Sequence, residues 1–119
     1  MFDSNRRKYP RANYPCHLTM WPQEGRNEAI LAQTSNVGCG GVCVHINEEI
    51  FVGRKIDIQI DFTRQTIPFR CKGTVVRCQR DGDRFYNLGI EFEHLSELKS
   101  AFIEEKVSEL ISLEKKGKI

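Results

Sequence analysis

An eight-residue alternation of apolar and polar side chains, Lys55 to Phe62, restricts the fold of this chain more than any other feature of its sequence. Every second residue of this segment is isoleucine or phenylalanine, and the residues between them are charged or amide side chains. A period of two places the apolar side chains on one face of a β-strand and the polar ones on the other. Such a strand is typical of an antiparallel sheet with one face in the core and one in water.

Other segments have strand character, and turn residues separate them. We predict these additional strands at residues 13–20, 28–35, 42–46, 67–79 and 84–92. In the strand predicted at residues 67–79, the apolar residues change from one face to the other, which predicts a β-bulge near Gly73 or Val75. Asp81-Gly82-Asp83 predicts a hairpin between the last two strands. The sequence therefore predicts a mainly β protein, a small antiparallel six-stranded barrel followed by a C-terminal α-helix.

The helix is predicted from periodicity near the end of the chain. Ser96 can cap it, and an apolar stripe with spacings of three and four lies beside this cap, formed by Leu95, Leu98, Phe102, Ile103, Val107, Leu110 and Ile111. The charged residues between them, Glu104, Glu105, Lys106 and Glu109, are expected to face water. The predicted boundaries are a flexible basic N-terminal arm at 1–12, the barrel at 13–94, the helix at 95–114 and a tail at 115–119.

Composition excludes several classes of function. The 119 residues suit one domain, and 18 Lys and Arg against 16 Asp and Glu give a net charge of only +2. That charge does not produce the overall field of a general nucleic-acid binder. Because the chain has neither a membrane-length apolar run nor a signal peptide pattern, we expect a cytoplasmic protein without membrane insertion.

No residues are placed for catalysis or metal binding. The five cysteines include no CxxC pair, which argues against a disulfide framework and a zinc site. No Ser, Asp or Cys lies in a catalytic motif, and the three histidines have no spacing that suits a metal. We therefore expect no enzymatic activity, no catalytic residue, no metal and no cofactor.

Two short polar stretches carry the functional signal. Four cations occur in the six residues from Arg6 to Arg11, and Pro10 among them disfavours a helix. The second stretch, residues 36–41, begins with Asn36 and contains three glycines. Guanidinium groups bind phosphate and the O6/N7 edge of guanine in bidentate fashion, and glycines let the backbone approach a ligand closely. Taken separately, the stretches could equally be a solvated basic terminus and a plain loop.

Together, Arg7-x-x-x-Arg11 and Asn36-x-x-x-x-Gly41 resemble the two-part signature of PilZ domains, RxxxR followed by (D/N)xSxxG. The resemblance extends to nearly the whole chain, because a short β-rich body and one C-terminal helix match the family in order and size. It implies a receptor for the bacterial second messenger cyclic di-GMP. The family's serine falls on Gly38, which removes a hydroxyl and adds backbone freedom worth roughly 0.5–1 kcal/mol. Serine at this position is therefore expected to strengthen binding modestly.

The resemblance implies a ligand site made of Arg6, Arg7, Arg11, Asn36, Gly38, Gly40 and Gly41. In that site the arginines would clamp the phosphates and guanine edges, the asparagine would read a guanine, and the glycine backbone would line the site. Binding is expected to order the arm. The changed surface would then act on an unknown protein partner, in the control of motility, biofilm or exopolysaccharide.

Two other functions stay open. One is a PilZ-fold adaptor that binds no nucleotide and acts through protein contacts, as some family members are thought to do in type IV pilus assembly. Gly38 favours this alternative, whereas the paired arginines oppose it. The other is a small-barrel RNA binder that uses the arm and exposed aromatic residues, which the nearly neutral total charge opposes.

Overall fold

The structure, a computed structural model, describes residues 10–23, 28–62 and 67–117, most of them in strands. Its elements are β1 (Arg11–Ala12), β2 (His17–Pro22), β3 (Ile30–Gly38), β4 (Gly41–Ile46), β5 (Lys55–Asp61), β6 (Phe69–Asp81), β7 (Phe85–Phe92) and α1 (Glu97–Gly117). The strands pair antiparallel in the order β1-β3-β2-β5-β6-β7-β4, and β3 also pairs with β4. That last pairing closes six strands into a barrel. The predicted barrel with a C-terminal helix is thus confirmed.

The alternation that the sequence shows in β5 fills the barrel interior. Ile56, Ile58 and Ile60 are at most 1% exposed, whereas Lys55 and Asp61, at the ends of this strand, face outward. The same two-residue period on the other strands contributes further core side chains, which are Leu18, Met20, Val37, Val42, Val44, Val75, Leu88 and Ile90. Inward apolar and outward polar side chains therefore define two surfaces on every long strand.

Helix α1 is attached to the barrel by aromatic packing. Phe102 stacks on Phe69 with ring centroids 5.9 Å apart, and it meets Phe62 edge-on at 6.2 Å. The helix begins at Glu97 because the hydroxyl of Ser96 accepts a hydrogen bond from the Lys99 amide at 3.2 Å. It continues through residues 115–117, beyond the predicted end at 114, and two lysines in its last turn stabilise the negative end of the helix dipole.

Two predictions for this helix are wrong. Leu98, placed in the apolar stripe, is 85% exposed, while Lys106, expected to face water, is 6% exposed. The buried face is centred between Ile103 and Leu110, and Leu98 lies about 130° around the helix from that centre at 100° per residue. The ammonium group of Lys106 lies 3.3 Å from the Glu109 carboxylate and 5.4 Å from the centroid of the Phe102 ring.

The predicted arm at 1–12 lies mostly outside the described residues, but its last two residues form a strand. Arg11 and Ala12 are β1, which pairs with β3, and Ala12 is fully buried. The seven-stranded sheet thus begins at Arg11, although β1 lies outside the closed ring of six strands. The predicted bulge is present, because the register of β6 against β7 shifts between Val75 and Arg77 and leaves Val76 exposed. Gly82 has φ +82°, as a tight hairpin between these strands requires.

Candidate ligand-binding site

Strand pairing places Arg11 beside the glycine-rich stretch. Arg11 lies opposite Gly38 and Ala12 lies opposite Val37 in the antiparallel pair of β1 and β3. Since Ala12 and Val37 point into the core, the alternation of a strand directs the side chain of Arg11 to the outer face. The two halves of the sequence signature therefore meet on one outer edge of the barrel.

The two signature segments are joined by a direct hydrogen bond. Arg11 Nη1 donates to Asn36 Oδ1 at 2.6 Å, and both side chains are half-buried. A guanidinium has only donors, so the amide atom that faces it must be the oxygen. The Asn36 amino group is consequently the part of this amide that stays available to a ligand, and it presents donors.

A row of outward residues continues from Asn36 across the barrel wall. Asn36 pairs with Cys43 on β4, Cys43 pairs with Gly89 on β7, and Gly89 pairs with Arg77 on β6. Arg77 Nη2 lies 3.3 Å from the Cys43 sulfur, and Arg11 Nη1 lies 3.9 Å from the same atom. Two guanidinium groups thus approach one thiol from opposite sides.

The three predicted glycines have different environments. A Cβ on Gly38 would lie 3.1 Å from Arg11 Cγ and 3.3 Å from the Pro10 carbonyl oxygen, so the stem of Arg11 uses the space that this glycine leaves. Gly40 is exposed, with open space at its Cβ position, and its carbonyl accepts a hydrogen bond from the Phe92 amide at 2.9 Å. Gly41 is buried, and a Cβ there would collide with the Ile90 carbonyl oxygen of β7. The structure therefore brings Gly38 into contact with Arg11 and places Gly41 against β7.

Arg6 and Arg7 lie outside the described residues, whereas Arg77, which is not part of the predicted site, contacts the same Cys43 sulfur as Arg11. The signal that could have identified Arg77 is the register of the β6–β7 hairpin. Counting back from Gly82 reaches Arg77 before the bulge at Val76 and places it opposite Gly89, on the outer face.

The loop after Gly38 also faces helix α1. Burial raises the pKa of the Cys39 thiol, and the negative charge of Glu104 on α1 raises it further. α1 packs against β1 and β3, the two strands that carry Arg11 and Asn36. The candidate site and the helix are therefore connected through two barrel strands.

A groove of about 740 Å³ lies elsewhere, between β5, β6 and the segment that leads into α1. Its cations are already engaged there. Lys72 lies 3.3 Å from the Asp57 carboxylate, and Lys99 donates to the Arg70 carbonyl at 2.7 Å. The row from Asn36 to Arg77 presents guanidinium and amide donors, so it is the better surface for an anionic ligand. Within residues 10–23, 28–62 and 67–117, no helix is long and apolar enough to cross a membrane.

Comparison with known proteins agrees with this architecture. The family model of the PilZ domain matches residues 5–109, and no curated protein sequence matches the chain. The PilZ domain of YcgR from Escherichia coli, solved with cyclic di-GMP, has a TM-score of 0.73 at 16% identity, over 96% of this chain and 99% of that one.

Two longer proteins have the same fold over part of their length. MotI, an inhibitor of motility from Bacillus subtilis, has a TM-score of 0.74 at 16% identity, covering 93% of this chain and 52% of MotI. The complex of K. pneumonia MrkH with cyclic di-GMP has a TM-score of 0.67 at 16% identity, covering 96% of this chain and 56% of MrkH. The chain thus spans about half the length of these two proteins, and at such identities the likeness concerns the fold.

Proposed function

The chain belongs to the PilZ domain family, and we propose that it is a cyclic di-GMP receptor that changes nothing chemically in its ligand. The observation that carries this proposal is the hydrogen bond from Arg11 Nη1 to Asn36 Oδ1, which joins the two parts of the family signature at 2.6 Å. Similarity to the cyclic di-GMP complexes of YcgR and MrkH supports the same ligand.

In the proposed complex, donors on the protein meet acceptors on the ligand. Arg7 and Arg11 clamp phosphates and the O6/N7 edges of guanine, with Arg6 assisting. The amino group of Asn36 donates to a guanine acceptor, and the backbone from Gly38 to Gly41 borders the ligand. A few charge-assisted hydrogen bonds of about 1.5–3 kcal/mol each, less the cost of ordering the N-terminal residues, correspond to roughly micromolar affinity, or about −8 kcal/mol.

The proposed output is a change in surface that a protein partner reads in the cytoplasm of a bacterium. A ligand that holds Arg11 also holds β1, and α1 packs on β1 and β3. Binding therefore acts on the ordering of the N-terminal segment and on the surface next to α1. The processes that we propose are control of motility, biofilm or exopolysaccharide, and the similarity to MotI, an inhibitor of motility, supports the first.

Isothermal titration calorimetry with cyclic di-GMP, and with GTP as the control ligand, tests this function. We expect saturable binding of cyclic di-GMP at micromolar concentration and no heat from GTP. Arg11→Ala should weaken binding at least tenfold. Arg80→Ala is the matched control, because the Arg80 guanidinium binds the carbonyls of Gly82 and Asp83 in its own hairpin. Equal affinities for these two variants would remove Arg11 from the mechanism.

The second candidate is the PilZ-fold adaptor that binds no nucleotide, for instance in type IV pilus function. Gly38 in place of the signature serine favours it, because the direct hydroxyl contact is lost. The same titration separates the two functions. Absence of both heat and any shift in melting temperature at hundreds of micromolar cyclic di-GMP would support the adaptor.

A further inference from the structure

The outer face of β4 and β7 holds two arginine side chains that converge on one point. The guanidinium nitrogens of Arg11 and Arg77 each lie within 4 Å of Cys43 Sγ, at 3.9 and 3.3 Å. The two positive groups are therefore no more than about 7 Å apart. Cys43 is a small, half-buried side chain between them, so a ligand can reach this part of the surface.

Gly89 makes the approach of Arg77 possible. A Cβ at this position would lie 3.3 Å from both Arg77 Cζ and Nη1, which is tighter than ordinary van der Waals contact. Gly89 has no positive φ, so its backbone conformation does not explain the glycine. Because Gly89 has no side chain, the barrel wall is flat at this position, and the Arg77 guanidinium lies across it towards Cys43.

The charge of Arg77 is not balanced by a carboxylate within the described ranges. None lies within 4.0 Å of its guanidinium, and Asp81, further along β6, is 3.1 Å from His45. Like charges repel, and an anion placed between them converts this repulsion into attraction. The place above Cys43 and Gly89 thus suits a negatively charged group held from two sides.

We propose that Arg77 is a ligand-binding residue, and that Arg11 and Arg77 together hold one phosphate of the ligand above Cys43 and Gly89. This inference rests on the proposed function, because the phosphate is that of the bound cyclic dinucleotide. It extends the site beyond the two-part signature to β6 and β7. Arg11 on β1 holds the ligand from one side, and Arg77 on β6 holds it from the other.

Calorimetric titration of cyclic di-GMP into Arg77→Gln and Arg77→Lys tests the proposal. We expect Arg77→Gln to weaken binding about tenfold, and Arg77→Lys to weaken it less, since lysine keeps the charge and loses the planar fork. Arg80→Gln, on the same strand, is the control and should stay within about twofold of the wild type. Gly89→Ala should weaken binding several-fold, because it moves the Arg77 guanidinium and leaves its charge in place.

The outcomes distinguish the inference from the function on which it rests. If the wild type binds and Arg11→Ala does not, while Arg77→Gln binds like the wild type, the role of Arg77 is overturned and the receptor function stands. If the wild type itself does not bind, both are overturned. Without ligand, the melting temperatures of Arg77→Gln and Arg77→Lys should match that of the wild type, because Arg77 is exposed. A lower melting temperature for both variants would assign Arg77 a structural role and overturn the proposal.

Discussion

Gly38→Ser is the substitution that most directly separates the family pattern from the geometry of this chain. From the signature alone, serine is expected to improve binding by restoring a hydroxyl. The structure predicts the opposite, because a Cβ on residue 38 would lie 3.1 Å from Arg11 Cγ and 3.3 Å from the Pro10 carbonyl oxygen. Gly38 has no positive φ, so the backbone itself accepts serine, and the strain arises at Arg11.

The size of the effect follows from the way in which Arg11 can avoid that contact. In the free protein the side chain can turn away at little cost, but the proposed complex requires it beside Asn36. Holding a side chain about 30° from its preferred rotamer costs about 0.5–1.5 kcal/mol. That penalty applies on binding and corresponds to roughly a two- to twelvefold loss of affinity. Complete loss of the bond from Arg11 to Asn36 would remove about 1.5–3 kcal/mol and sets the upper limit.

The assay is calorimetric titration of cyclic di-GMP into the wild type, Gly38→Ala and Gly38→Ser. Alanine adds the same Cβ without a hydroxyl, so both variants should bind more weakly, and the ratio between them measures the hydroxyl alone. An affinity of Gly38→Ala equal to that of the wild type would refute the steric argument. Tighter binding by Gly38→Ser than by the wild type would restore the expectation from the signature.

Two further predictions concern stability. Gly41→Ala should destabilise the fold by about 1–3 kcal/mol and lower the melting temperature by at least about 4 °C, because its Cβ meets the Ile90 carbonyl of β7. Gly40→Ala, with open space at its Cβ, is the control, and equal melting temperatures for the two variants in thermal denaturation would contradict this account. Burial raises the pKa of Cys16 to about 11 and that of Cys71 to about 12, so these thiols stay protonated in the folded protein where the unfolded chain ionises. Their contribution to the free energy of unfolding is therefore complete below pH 9 and is lost as the pH rises to about 12. Urea denaturation measures this free energy, which should decrease less steeply across this pH range for the double variant Cys16→Ala/Cys71→Ala than for the wild type.

The barrel could be predicted from the sequence because its determinants are local. The alternation from Lys55 to Phe62 is visible without any tertiary information, and so are the turn around Gly82 and the parity change near Val75. Each of these features restricts strand direction or register, and antiparallel neighbours joined by short turns leave few alternative arrangements. The contact of Arg11 with Asn36 also follows, since the hairpin of β2 and β3 returns the chain to the start of the barrel.

The errors at the helix have a tertiary origin. Spacings of three and four allow Leu98 to share a stripe with Phe102, and they allow a second, adjacent stripe that includes Lys106. Periodicity does not say which of these stripes meets the barrel. The choice is made by Phe62 and Phe69, which receive the Phe102 ring and turn Lys106 towards the core.

The outward position of Arg77 follows from its hairpin, but its contact with Cys43 could not be predicted from the sequence, because a bulge and two strand registers decide it. The bulge at Val76 returns residue 77 to the outer face, the β6–β7 register sets it opposite Gly89, and the β4–β7 register sets Gly89 opposite Cys43. An error of one residue in any of these pairings would turn a side chain of the row into the core. A two-part signature contains none of this information, since it records positions along the chain only.

Gly38 and Gly89 share a property that gives the departure from the family signature a physical meaning. Neither glycine has a positive φ, and each lies against an arginine side chain, Arg11 in one case and Arg77 in the other. Both arginines lie close to the strand surface and end at Cys43. A serine at residue 38 would contribute one hydroxyl and lift one of these arginines away from the wall. If the arginines supply most of the binding energy, as charge-assisted bonds to phosphate predict, glycine at residue 38 is compatible with a working site.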